Sequence, residues 1–153
     1  MRPAEVPSFV GVDLLVNLLG YWPTLHDADV LHFRLDRRAY GDNCYGPTID
    51  VLVNVFDFDK VSQLGSDGRH TIRHSVSVHM RFRDVVELHL EGFNAQNKLH
   101  GLTIIDIHAW QLERISWTVR FDSTLGLNAS FKCCTVEVIH AEPCDMHGEA
   151  LPV

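Results

Sequence analysis

Positive charge is scarce in this chain: 13 Lys and Arg stand against 20 Asp and Glu, leaving a formal net charge of −7 with His neutral. A protein whose affinity for nucleic acid or anionic lipid rests on a basic footprint is therefore not expected. Long apolar runs are also missing, and none approaches the ~18 residues a membrane span needs. The N-terminal MRPAEVPSF lacks a basic region followed by an apolar core, so no cleaved secretion signal is expected. Four cysteines in 153 residues, two of them adjacent, make no disulfide framework. GxSxG, P-loop, Rossmann-glycine and HExxH patterns are absent, so no residue has a catalytic claim on motif grounds and no cofactor is expected.

What is present suits one soluble, acidic, β-rich domain. At this length roughly 70% of the unfolded surface can be buried, and a 46% hydrophobic share supplies the material. Ser8 is a good N-cap for FVGVDLLVNLL, and Gly20 stands where a left-handed C-terminal cap belongs. Phe9, Val12, Val16 and Leu19 form one stripe, while Val10, Leu14, Leu15 and Leu18 cover most of the rest. The pattern predicts a helix over 9–19 that lies mostly buried against a sheet.

After Trp22-Pro23-Thr24 the apolar period becomes two. Strands are predicted over 29–36, 49–56, 72–83, 86–90, 102–107, 115–121 and 130–141, with His74 on the apolar face of the third. Asp67-Gly68 suits a hairpin turn, HAWQLER a wide turn or short helical stretch, and the slip of alternation at Cys133-Cys134 a bulge. The expected fold is α+β, an N-terminal helix packed on a twisted, mainly antiparallel sheet of about seven strands. Residues 1–142 form the domain, and 143–153, without periodicity, a flexible tail.

Two polar clusters stand out. His26, Asp27, Asp29 and His32 have the ligand chemistry of a zinc or iron site, which would make a small metal-dependent hydrolase. In an extended strand, however, His26 and His32 share one face and Asp27 and Asp29 the other. Convergence on one ion then needs a further strand, and a turn capped by Asp is the simpler reading. Arg73, His79, Arg81 and Arg83 share a strand face that either meets an anion or is solvated and balanced by Glu87 and Glu91. In EGFNAQN, Asn94 and Asn97 can each bond nearby backbone and set a loop shape. Ten histidines make charge steeply pH-dependent, since protonating all of them moves the formal value from −7 to +3.

Two stretches point to a family. GYWPTLHDADVLHFRLDR after the apolar helix and VVELHLEGFNAQNKLHGLTI after a regular strand resemble the bacterial immunity-protein family numbered fifty. The matching features are Trp22-Pro23, His26-Asp27 with Asp29, the Glu91-Gly92-Phe93-Asn94 break, Asn97, and Phe131 leading to Val136 and Val138, spread over residues 9–141. Members are small α+β domains predicted to neutralise toxins deployed between competing bacteria. The resemblance implies a non-enzymatic cytoplasmic protein with a cognate toxin as partner and neither nucleic acid nor membrane. A homodimer is compatible with it. An acidic surface suits that role, because opposite charge accelerates encounter with a basic toxin. Trp22, His26, Asp27, Asp29, Glu91, Asn94 and Asn97 are the expected protein-binding residues, although Trp22 also suits a place at the core edge under the helix. A third reading is a small-molecule carrier with an apolar pocket lined by Phe33, Val53 and Met80.

Overall fold

The computed structural model describes residues 7–38, 44–58 and 72–144. The Asp67-Gly68 turn, residues 145–153 and the side chains of Arg73 and His74 lie outside them. The order of elements is α1 (Val12–Leu19), β1 (Asp29–Asp36), β2 (Thr48–Phe58), β3 (Ile72–Arg83), β4 (Val86–Glu91), β5 (Lys98–Asp106), a 3-10 turn (His108–Trp110), β6 (Trp117–Leu125), β7 (Asn128–Cys133) and β8 (Thr135–Cys144).

The strands form a single eight-stranded sheet in the order β4-β7-β6-β5-β1-β2-β3-β8, antiparallel at each pairing. Alternation explains which side is inward. Ile49, Val51, Val53 and Val55 of β2, Val76, Val78, Met80 and Phe82 of β3, and Val136 and Val138 of β8 are all buried. The sheet is not a flat layer with a helix on it. Phe82 of β3 lies 6.1 Å from Phe121 of β6 and 5.0 Å from Phe131 of β7, centroid to centroid. Those strands are far apart in the sheet order, so the sheet folds over and packs one half, β4-β7-β6-β5, against the other, β1-β2-β3-β8. Phe33 closes the same cluster edge-on to Phe121 at 5.8 Å, while Val53 and Met80 are packed in the core. These three residues therefore act as filling, in place of the expected pocket lining.

Three expectations are corrected. The helix begins at Val12, because Val10 is extended and bridges to Glu137 of β8, its carbonyl accepting from the Val138 N–H at 2.9 Å. Gly11, at φ 84°, turns the chain between them, and a Cβ there would lie 2.1 Å from the Val138 oxygen. Its cap carries no side-chain hydrogen bond, so Ser8 has no capping role, whereas Gly20 ends the helix as expected, donating to the Val16 carbonyl. Nor is the helix mostly buried: only Val12 and Leu15 are, and Leu14 and Leu18 are each 40% exposed. Lying along the edge strand β8, and only about 12 Å long, it offers one narrow stripe to the core.

Among the described residues the strand count is eight because Cys133-Cys134 is a break between two strands and not a bulge within one. β7 ends beside β6, the Cys133 carbonyl accepting from Ser116 N–H, and β8 begins beside β3, the Cys134 N–H donating to Arg83. The chain there crosses from one half of the folded sheet to the other. β8 also continues to Cys144, so Pro143 and Cys144 belong to the sheet where a tail was expected.

Phe82 is fully buried between the halves. Phe82→Ala is expected to cost about 3–5 kcal/mol in urea unfolding. Leu18→Ala on the open helix face should cost less than about 1 kcal/mol, and a larger loss there would contradict the shallow seating of the helix.

Candidate functional site at the seam of the two half-sheets

The two halves meet along β1 and β5, whose strand register has one pair, Asp29 with Lys98. A seam this short needs other bonds, and they come from the two motif stretches. Asp27 N–H donates to Leu99 at 2.9 Å, Leu99 N–H returns to Ala28 at 2.8 Å, and Val30 N–H donates to Asn97 at 2.9 Å. Leu25 and Asp27 reach these positions with left-handed backbone, φ 63° and 67°. Asp tolerates that conformation far better than Leu, so burial of the Leu25 side chain holds the strained residue.

Asn97 is the centre of the seam. It is 3% exposed. Its Oδ1 accepts from Asn94 N–H at 2.9 Å and Leu127 N–H at 3.1 Å, and its Nδ2 donates to the Asn94 carbonyl at 2.8 Å and the Val30 carbonyl at 3.5 Å. One amide thus joins the 91–97 loop, the β6–β7 turn and β1, each of its polar atoms satisfied. Gly126, at φ 88°, makes this approach feasible, since a Cβ would fall 2.6 Å from Asn97 Oδ1 and 2.2 Å from the Gln96 oxygen.

The remaining motif residues ring this centre or lie beyond it. Asp27 bridges His26 at 3.3 Å and Lys98 at 3.6 Å, and the His26 ring sits edge-on to His100 with centroids 5.3 Å apart. Asn94 caps the Ala95 N–H at 2.7 Å, and Glu91 is exposed opposite Asn128. Trp22 is half-buried and edge-on to Phe9, 5.4 Å between centroids, at the core edge. His32 is exposed further along β1, opposite Leu52. Among the described residues no three His, Cys, Asp or Glu side chains are grouped to hold an ion. His26, Asp27, Asp29 and His32 form no such group: Asp27 meets His26 and Lys98, His26 meets His100, and His32 lies further along β1.

The basic face of β3 is balanced by its flanking strands, where Glu87 and Glu91 were expected to do so. Arg81 Nε donates to Asp50 Oδ1 at 2.8 Å, His79 Nε2 lies 3.0 Å from the same oxygen, and Arg83 Nη1 donates to Glu137 at 2.8 Å. Glu87 pairs instead with Lys132 of β7. Burial alone would raise the Asp50 pKa, but the hydrogen bonds and charges of Arg81 and His79 outweigh it and hold the carboxyl below its ordinary value.

A second polar constellation has no signal in the sequence, because its members are scattered singly. Asp84, buried and at φ 56°, accepts from Tyr45 N–H at 2.7 Å and from Arg114 Nη2 at 3.0 Å. The Arg114 guanidinium lies 4.0 Å over the Tyr45 ring. Tyr45, Asp84, Val86, Glu113, Arg114 and Ile115 line an open hollow of about 480 Å³. Cys134 is not activated nearby: burial raises its pKa, the Asp84 charge adds to that, and Arg114 offsets only part. Burial likewise raises the Cys133 pKa.

The family model for Immunity protein 50 matches residues 11–144. The chain belongs to this family. No curated protein and no solved structure matches it. In this family member the matched span takes in the helix, the eight strands of the described residues and the seam. The two stretches singled out in the sequence, 20–37 and 85–104, both lie within the matched span and include the residues that close the sheet.

Asn97→Ala strands the Asn94 and Leu127 N–H groups in a buried site and is expected to cost about 2–4 kcal/mol in urea unfolding. For Asp50, a folded pKa depressed below the ordinary 3.8 means that its stabilisation is present above that value and is lost as pH falls through the folded one. Asp50→Asn should therefore flatten the acid limb of the stability profile between about pH 5 and pH 2, read as urea midpoint against pH. An unchanged limb would contradict the Asp50 assignment.

Proposed function

We propose that this member of the Immunity protein 50 family is a non-enzymatic cytoplasmic protein that binds a cognate bacterial toxin through an acidic surface and so neutralises it. The observation that carries the reading is family membership across residues 11–144, and the distribution of charge supports it. Arg34, Arg38, Arg81, Arg83, Lys98, Arg114, Arg120 and Lys132 are all engaged in ion pairs within the protein. Among the described residues, Asp13, Asp29, Glu91, Asp106 and Glu113 have no cationic partner. Arg37, exposed and outside these pairs, offsets one of the five, so the charge left to act on a partner is predominantly anionic, and it favours fast encounter with a basic protein.

Asp50 and Asp84 are committed to arginines, and burial holds Cys133 and Cys134 as thiols. Of the motif residues, Asp29 and Glu91 contribute to the acidic field, with His26, Asp27 and Asn94 on the rim of the seam. Trp22 and Asn97 hold the scaffold that displays them.

The test is protection. The product of the gene adjacent to this chain's own, induced in a bacterial host, should arrest growth, and co-expression of the chain should restore it. The purified pair should form a stoichiometric complex whose association rate falls with added salt. Continued arrest with no complex would overturn the reading.

A further inference from the structure

The end of the molecule opposite the seam carries a surface that neither family membership nor the motif stretches account for. The turn between β5 and β6 exposes Trp110 at 61% and Leu112 at 43%, next to Ile105 at 50%. Single exposed apolar residues are ordinary, but a tryptophan, a leucine and an isoleucine displayed within eight residues are not. The same turn is rigid. Ile107 is buried as its root, donating to Ser116 at 2.7 Å, and Trp110 N–H donates back to Ile107 at 2.9 Å. Asp106 Oδ1 accepts from His108 N–H at 2.8 Å. At the far end Arg114 is tied to buried Asp84 and stacked on Tyr45, itself 73% exposed. A turn held at both ends presents its aromatic anchor with little conformational entropy left to lose on binding.

Charge identifies what would cover it. Asp106 and Glu113 flank Trp110 in the chain, and neither has a cationic partner among the described residues. Glu113 also lines the hollow shared by Tyr45, Val86 and Arg114. An apolar centre with an unneutralised acidic rim is complementary to an apolar recess ringed by Lys or Arg. We propose that this turn, with Trp110 as the buried anchor and Asp106 and Glu113 as the rim, is the docking face for the basic surface of the cognate toxin. The proposal rests on the immunity reading above and adds to it the place of contact. The acidic seam at the other end then contributes long-range attraction and no anchor.

The probe is the purified product of the gene adjacent to this chain's own, titrated with the full chain and its variants. Trp110→Ala is expected to weaken binding by about thirtyfold or more, as removal of a central interface tryptophan does. It should do so mainly by faster dissociation, with an unchanged thermal midpoint because the indole is largely in solvent. Asp106→Asn with Glu113→Gln should slow association and reduce its salt dependence. Phe93→Ala, at a half-exposed aromatic of the seam end, should bind as the unaltered chain does. Equal affinity of the Trp110→Ala and unaltered chains would overturn this docking face while leaving the immunity reading in place. So would a larger loss from Phe93→Ala than from Trp110→Ala. No binding by the unaltered chain would overturn the immunity reading and the docking face together.

Discussion

A sheet folded onto itself must be closed where its two halves meet, and in this protein the regular ladder at that joint shrinks to one pair, Asp29 with Lys98. The amide of Asn97 takes over the work of the missing rungs. It satisfies Asn94, Leu127 and Val30 at once, in a site from which water is excluded. Because an unsatisfied amide in such a place is costly, the loop, the β6–β7 turn and the start of β1 are coupled. The aromatic cluster of Phe33, Phe82, Phe121 and Phe131 depends on that joint, since it assembles only when the halves are brought face to face.

The polar groups follow a similar economy. Asp50 draws on Arg81 and His79, Asp84 on Arg114 and the Tyr45 N–H, and Glu137 on Arg83. Among the described residues most cations are consumed in such pairs, and Asp13, Asp29, Glu91, Asp106 and Glu113 remain as surplus carboxylates. An acidic protein obtained this way has buried carboxylates braced by arginines and a predominantly anionic surplus among its described residues. A protein that must recognise a basic partner quickly benefits from both.

Strands were legible wherever one face is buried, as along β2 and β3, because alternation is then written into residue type. The helix was legible as a helix but not in depth: its apolar residues run round most of its circumference, and periodicity cannot tell a buried rod from one lying along an edge strand. Cys133-Cys134 looked like a bulge because a slip of register and a change of strand leave the same trace in a single sequence. The seam was half legible. The turn chemistry of Asn94 and Asn97 is local and readable, whereas the bonds from Asn97 to Val30 and Leu127 cross 67 and 30 positions. The Asp84, Arg114 and Tyr45 group left no trace, since each is a single ordinary residue far from the others.

By itself the sequence determined the class of the protein: acidic, β-rich, without a helix pattern long enough to span a membrane, and marked by the Trp-Pro and EGFN stretches of its family. Those properties are set by composition and local periodicity, which need no knowledge of what lies across the sheet. Tertiary structure alone decided that the two stretches meet, that Asp27 is set between His26 and Lys98 with His32 further along the strand, and that Trp110 stands outward on a pinned turn. Each of those outcomes depends on which distant strands become neighbours, and long-range pairing is governed by packing of the whole core and not by the residues on either side.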